Sequence, residues 1–195
     1  IRDRYRGLLN RKIENINLNL VFEEAVTLPA NGDFKNVKIT LSGKMAECPP
    51  QSSLTKLSGV VSFSGAPLLC LNVEGGNSSK LLSTGSIRGD ITLGKDSALG
   101  LKGDLEGALK TGSYAEVFIK GKLKFSGKDN NRDIILGCSS KAKIGQGIEV
   151  EQADIYLRQW TKLDTSGISL RSLSDNPALP QTLSSLHLYL SLIHI

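Results

Sequence analysis

The chain has 195 residues, 39% of them hydrophobic and 22% charged, a balance that excludes wholesale disorder. With two His and an aromatic share of 5%, it has little general acid–base capacity near neutral pH. The formal net charge is +5, and residues 1–12 carry four of those charges, as Arg2, Arg4, Arg6, Arg11 and Lys12 against Asp3. The remainder is close to neutral, so no nucleic-acid partner is expected.

Residues 1–34 read as a basic segment and a lead-in strand. Tyr5, Leu8, Leu9, Ile13 and Ile16 are spaced like one face of a short N-terminal helix. Over 35–173 the apolar residues recur with period two. Val37, Ile39 and Leu41 alternate, as do Leu57, Val61 and Phe63. In 97–110, Leu99, Leu101, Gly103, Leu105, Gly107 and Leu109 share one face, opposite Lys102, Asp104, Glu106 and Lys110. In 115–127, Val117, Ile119, Gly121, Leu123 and Phe125 oppose Lys120, Lys122 and Lys124. Ile134, Leu136, Cys138, Ala142 and Ile144 continue the pattern, and a phase slip near Glu151-Gln152 predicts a bulge.

Turn signals fall near residues 95, 112, 130, 146 and 165. That spacing leaves strands of about 12 to 14 residues, against a common length of about 5 to 6. Short connections predict antiparallel neighbours. The expected fold is therefore all-β, a long-stranded antiparallel meander. It would form one amphipathic sheet, curved into a groove, a sandwich or a partly closed barrel. The facing rule then opposes Leu101 to Leu123, Gly103 to Gly121, Asp104 to Lys120 and Gly121 to Cys138. A row of small residues, Gly103, Gly121 and Cys138, would cross the apolar face, where the sheet bends or something packs close.

Residues 174–189 read as a linker and the start of a further element. The terminal Leu190-Ser191-Leu192-Ile193-His194-Ile195 matches one reading frame of a transposase-library adapter, so 190–195 is expected not to be native. Cys48, Cys70 and Cys138 lack metal-ligand spacing. Cys48 and Cys70 suit either a disulfide or two buried thiols. The sequon Asn77-Ser78-Ser79 favours an extracytoplasmic or secreted setting.

Catalytic signatures are missing from the sequence: no HExxH, no phosphate-binding loop, no Gly-x-Ser-x-Gly. Without the terminal string, His187 is the single candidate base. Asp129-Asn130-Asn131-Arg132-Asp133 starts like a calcium loop, but Ile134 and Ser140 stand where Gly and Glu are needed, so it reads as a solvated turn. The carboxylate pairs Asp104/Glu106 and Glu149/Glu151 read as a solvent-facing charge ladder. No cofactor, metal or enzymatic activity is expected.

The Gly-interrupted amphipathic strands over 81–144 are similar, without a diagnostic motif, to AsmA-like bacterial groove proteins. That resemblance implies a groove carrying lipid on its apolar face. The expectation is a non-enzymatic structural or ligand-binding module, with a lipid or other apolar ligand and the rest of its own polypeptide as partners. Candidate ligand-facing residues are Ile87, Leu101, Gly103, Leu105, Ile119, Gly121, Leu123 and Cys138. The alternatives are a surface or adhesive β-repeat protein and a piece of an outer-membrane barrel, which the scarcity of aromatics disfavours.

Overall fold

The computed structural model describes residues 12–26, 32–45, 48, 54–126, 134–151, 153–166, 168–171 and 179–181. The basic stretch through Arg11, the turn 129–133, Gln152, the linker apart from 179–181, His187 and the string 190–195 lie outside them.

The described chain opens with β1 (Lys12–Glu14) and β2 (Asn17–Val26), then two long strands, β3 (Asp33–Met45) and β4 (Leu54–Ser64). Strands thereafter are short. β5 (Leu68–Cys70) and β6 (Asn72–Gly75) complete the turn that β4 begins. Three triplets follow: β7 (Lys80–Ser83), β8 (Ser86–Arg88), β9 (Ile91–Leu93); β10 (Ala98–Leu101), β11 (Leu105–Glu106), β12 (Leu109–Thr111); β13 (Glu116–Ile119), β14 (Leu123–Ser126), β15 (Ile134–Leu136). A fourth is β16 (Lys141–Ile144), β17 (Ile148–Glu151) and β18 (Ala153–Leu157), and β19 (Lys162–Thr165), β20 (Ile168–Arg171) and β21 (Leu179–Gln181) end the described chain.

Each short strand pairs in parallel with its counterpart one turn later. This makes three walls. The first is β7-β10-β13-β16-β19, the second β5-β8-β11-β14-β17, and the third β6-β9-β12-β15-β18. β4 serves two walls, its Leu54–Leu57 pairing with β6 and its Val60–Phe63 with β7. β3 and β2 extend the first wall by further rungs. The molecule is thus a β-solenoid of about 6 turns, and the expected antiparallel meander is incorrect. Antiparallel pairing occurs at the C-terminal end, where β20 lies on β19 and β21 on β18. No described residue is helical; Ile13 is in β1 and Ile16 is exposed beside it.

The physical reason for the discrepancy lies at the corners. Leu101, Leu105 and Leu109 keep one parity, yet the chain bends between them. Leu101 to Leu105 and Leu105 to Leu109 are both steps of four, so alternation passes through two corners unbroken. A Cβ at Gly103 would fall 2.5 Å from Ser86 N and 2.7 Å from Gly85 C, so the chain can double back there only without a side chain. Gly107 has φ +153° and sits against Gly89 O, where a Cβ would be 2.2 Å away. What reads as one long strand is a polygon of three short ones.

The expected row of small residues is likewise replaced. Gly103 does meet Gly121, but in parallel, at the corner between the first and second walls. Cys138 lies at a different corner, between the third and first walls. Leu101 pairs with Ile119, and Leu123 with Leu105.

Inside, like side chains stack rung on rung. Leu81, Leu99 and Val117 form one column, Ile87, Leu105 and Leu123 another, Val73, Ile91, Leu109, Ile134 and Ile155 a third. All are buried. Each contributes about 1.5–3 kcal/mol by leaving water. Side-chain oxygens stitch the corners along the axis at an 18-residue step. Ser86 Oγ accepts from Asp104 N (2.9 Å), Asp104 Oδ1 from Lys122 N (2.9 Å), Asn72 Oδ1 from Asp90 N (2.8 Å) and Asp90 Oδ1 from Ala108 N (2.8 Å). At the corner between the third and first walls, one residue per rung is left-handed: Asn15, Asn36, Gly59, Ser78, Asp96, Tyr114, Ser139 and Trp160, with φ between 52° and 62°.

One buried hydroxyl in the third column of stacked side chains has no described partner. Thr55, 1% exposed, packs against Val73. An unpaired buried hydroxyl costs about 1–3 kcal/mol. Thr55→Val keeps the shape and removes the oxygen, so its urea midpoint should rise; a fall would show that the hydroxyl is satisfied.

Candidate functional site

The residues expected to face a ligand divide into two groups. Ile87, Leu101, Leu105, Ile119 and Leu123 are at most 1% exposed and form the interior ladders. Gly103 and Gly121 are corner positions, and Cys138 is a half-buried free thiol. The structure therefore does not bring the eight together on one accessible face.

The outer side of the second wall balances its own charge. Arg88 pairs with Glu106 at 2.8 Å, Lys124 with Asp104 at 2.8 Å, and Lys122 with Glu149. Asp104 thus pairs with Lys124 rather than with Lys120 as expected. The Lys124 ammonium and then the Lys122 N–H hold the Asp104 carboxyl below its usual value of 3.8. A lowered folded pKa adds stability that is complete above the unfolded value and lost as pH falls through the folded one. Asp104→Asn should therefore flatten part of the acid limb of stability, and a carbon-detected NMR titration should place Asp104 below free Asp. An Asp104 titrating at or above the free value would contradict the pair.

The first wall differs. Of the eight large hydrophobic residues exposed among the described residues, Val60, Leu82 and Phe118 lie on its outer side. Ile16, Tyr114 and Trp160 lie at its corner with the third wall, and Val21 on β2, one of its added rungs. Leu54 alone lies elsewhere. Leu82, Gly100 and Phe118 are in-register neighbours, and Leu82 Cδ2 leans to 2.9 Å from where a Gly100 Cβ would be. The Lys95 ammonium stands 5.5 Å over the Tyr114 ring.

Lysines surround these side chains. Lys38, Lys80, Lys141 and Lys143 project from the first wall, and Lys102 and Lys120 from its corner with the second. All six are exposed, and none pairs with a described carboxylate. On the same side Lys162 is neutralised by Asp164 at 2.7 Å, and Glu116 adds one negative charge. Leu82 and Phe118 had a signal in the sequence. They are apolar residues at outward positions of the alternation, next to Leu81 and between Val117 and Ile119, as Val60 and Ile135 also are.

Cys48 and Cys70 form a disulfide, with Cα atoms 5.3 Å apart and a sequence separation of 22. It fastens the chain over β5, the end strand of the second wall. Closing a loop of that length stabilises by about 3 kcal/mol. Dithiothreitol should lower the urea midpoint accordingly, and a thiol reagent should titrate one cysteine in the oxidised unfolded chain and three in the reduced one. An unchanged midpoint would mean that the bridge does not constrain the coil.

Among the described residues, no group of three or more His, Cys, Asp or Glu is placed to hold a metal ion, and no helix is long and apolar enough to cross a membrane. No family model, curated protein or solved structure matches the chain.

Proposed function

We propose that the chain is a non-enzymatic structural β-repeat module that acts through its outer walls. The observation that carries this reading is the burial of Ile87, Leu105 and Ile119 at 0% exposure inside the coil. Apolar ladders that cover one another leave the walls as the working surface. A lipid-carrying groove needs the same ladders open on one side. An outer-membrane barrel needs antiparallel strands, whereas these walls are parallel. The Cys48–Cys70 bridge supports an oxidising, extracytoplasmic setting.

Native mass spectrometry of the purified chain, with and without a monomeric fluorescent fatty acid, tests the proposal. The expected spectrum shows protein alone. One apolar molecule retained per chain would overturn the structural reading and restore a carrier.

A further inference from the structure

We propose that the outer side of the first wall docks on an anionic lipid bilayer. Seven of the eight exposed large hydrophobics among the described residues fall on this wall, its added rung or its corner. An apolar surface so one-sided marks a binding face. Tyr114, Phe118 and Trp160, the exposed aromatics among the described residues, are all in it.

Charge identifies the occupant. The second wall cancels its own charges in cross-rung pairs, whereas Lys38, Lys80, Lys102, Lys120, Lys141 and Lys143 remain unpaired with any described carboxylate. They ring the apolar centre of Leu82 and Phe118. A nucleic acid would engage the lysines but offer nothing to Val60 and Leu82. A bilayer surface offers an anionic plane for ammonium groups and an apolar layer just beneath it. Tyr and Trp suit the boundary, with an apolar ring and a polar edge. The in-register stacking of parallel rungs brings Leu82, Phe118 and Lys143 to the same side of the sheet, where they can meet one plane together. This face is on the opposite side of the backbone from the interior ladders, so the structural reading stands or falls separately from it.

The test is co-sedimentation of the whole chain with phosphatidylcholine vesicles, with and without phosphatidylserine. Trp160, the single Trp, provides a second readout. Sedimentation and a blue shift of Trp160 emission are expected with phosphatidylserine and not without it, and salt should weaken both. Each lysine near the surface is worth about fivefold in affinity. Lys120→Gln should lose about that factor, and the triple variant Lys102→Gln, Lys120→Gln, Lys143→Gln about a hundredfold. Lys56→Glu, on the third wall, should leave binding unchanged. Leu82→Ser with Phe118→Ser should abolish the Trp160 shift while far-UV circular dichroism stays that of the parent. No binding to either vesicle, equal binding to both, or a Trp160 response to an oligonucleotide or polyglutamate at lower concentration than to phosphatidylserine vesicles would overturn the proposal.

Discussion

Deleting residues 98–115 should leave a folded protein, and deleting residues 98–106 should not. The first deletion removes one 18-residue rung, the interval that separates Ala98 from its partner Glu116. Ser97 would then join Glu116, and β13 would occupy the place of β10. Leu81 would meet Val117, Ile87 would meet Leu123, and Ile91 would meet Ile134, so each interior column stays apolar. The loss is one rung of burial, the Arg88–Glu106 and Lys124–Asp104 pairs and the corner hydrogen bonds made by Asp104 and Ala108, with Arg88 now opposite Lys124. Stability in stacked repeats is close to a sum over units and their interfaces, so one unit can go. Half a rung puts corner residues in wall positions and breaks the stacking of everything after it. Far-UV circular dichroism and urea unfolding decide the matter. A cooperative transition in both deletions, or in neither, would contradict the stacking. In an antiparallel meander, removing 98–115 would reverse the direction of every later strand.

The second large effect is Leu105→Asp. Leu105 is 0% exposed and sits between Ile87 and Leu123 in the second wall. A carboxylate there would be cut off from solvent, and the buried polar side chains among the described residues are Ser and Thr, with no cation. Burying it costs several kcal/mol even after it takes up a proton. Typical domain stability is about 5–15 kcal/mol, so the variant should unfold or lose most of its denaturant resistance. Glu106 is one residue away and points outward. Glu106→Gln removes an ion pair whose partners are 47% and 42% exposed, and such surface pairs are worth about 0–1 kcal/mol. The contrast between adjacent residues is the measurement, made by urea titration of both variants. Equal effects would mean that Leu105 faces solvent.

Much of the fold was legible in the sequence as content rather than connection. Period two puts Leu99, Leu101, Leu105, Leu109, Val117, Ile119 and Leu123 on one side of the backbone, where the structure buries them, and Glu106 and Lys124 on the other. Period two reports only which side of the backbone a residue takes. It does not distinguish a straight strand from one folded at Gly103 and Gly107, because those corners preserve parity. The distinguishing signal was the interval itself. Leu81, Leu99 and Val117 recur at a constant step, as do Ile87, Leu105 and Leu123, and recurrence of residue type at a fixed step indicates a coil. The expected strand length, more than twice the common one, was a second sign. The interval was obscured further on, where it widens to 25 between Ala115 and Ser140. The first-wall surface was less legible. Val60 and Trp160 share no sequence spacing, and only the parallel stacking of rungs brings them to one side.

The same 18 residues that make one rung would reach about 27 Å as an α-helix and about 60 Å fully extended. Wound as a rung, they advance the axis by about 4.8 Å. Winding is therefore a poor way to span distance. What it produces is a lattice of side chains, ruled along the axis at the strand spacing and across it at the pleat. Positions such as 82, 100 and 118 form a file in which each substitution changes one point and leaves its neighbours in place. A surface of this kind can be rewritten residue by residue while the columns beneath it hold the coil.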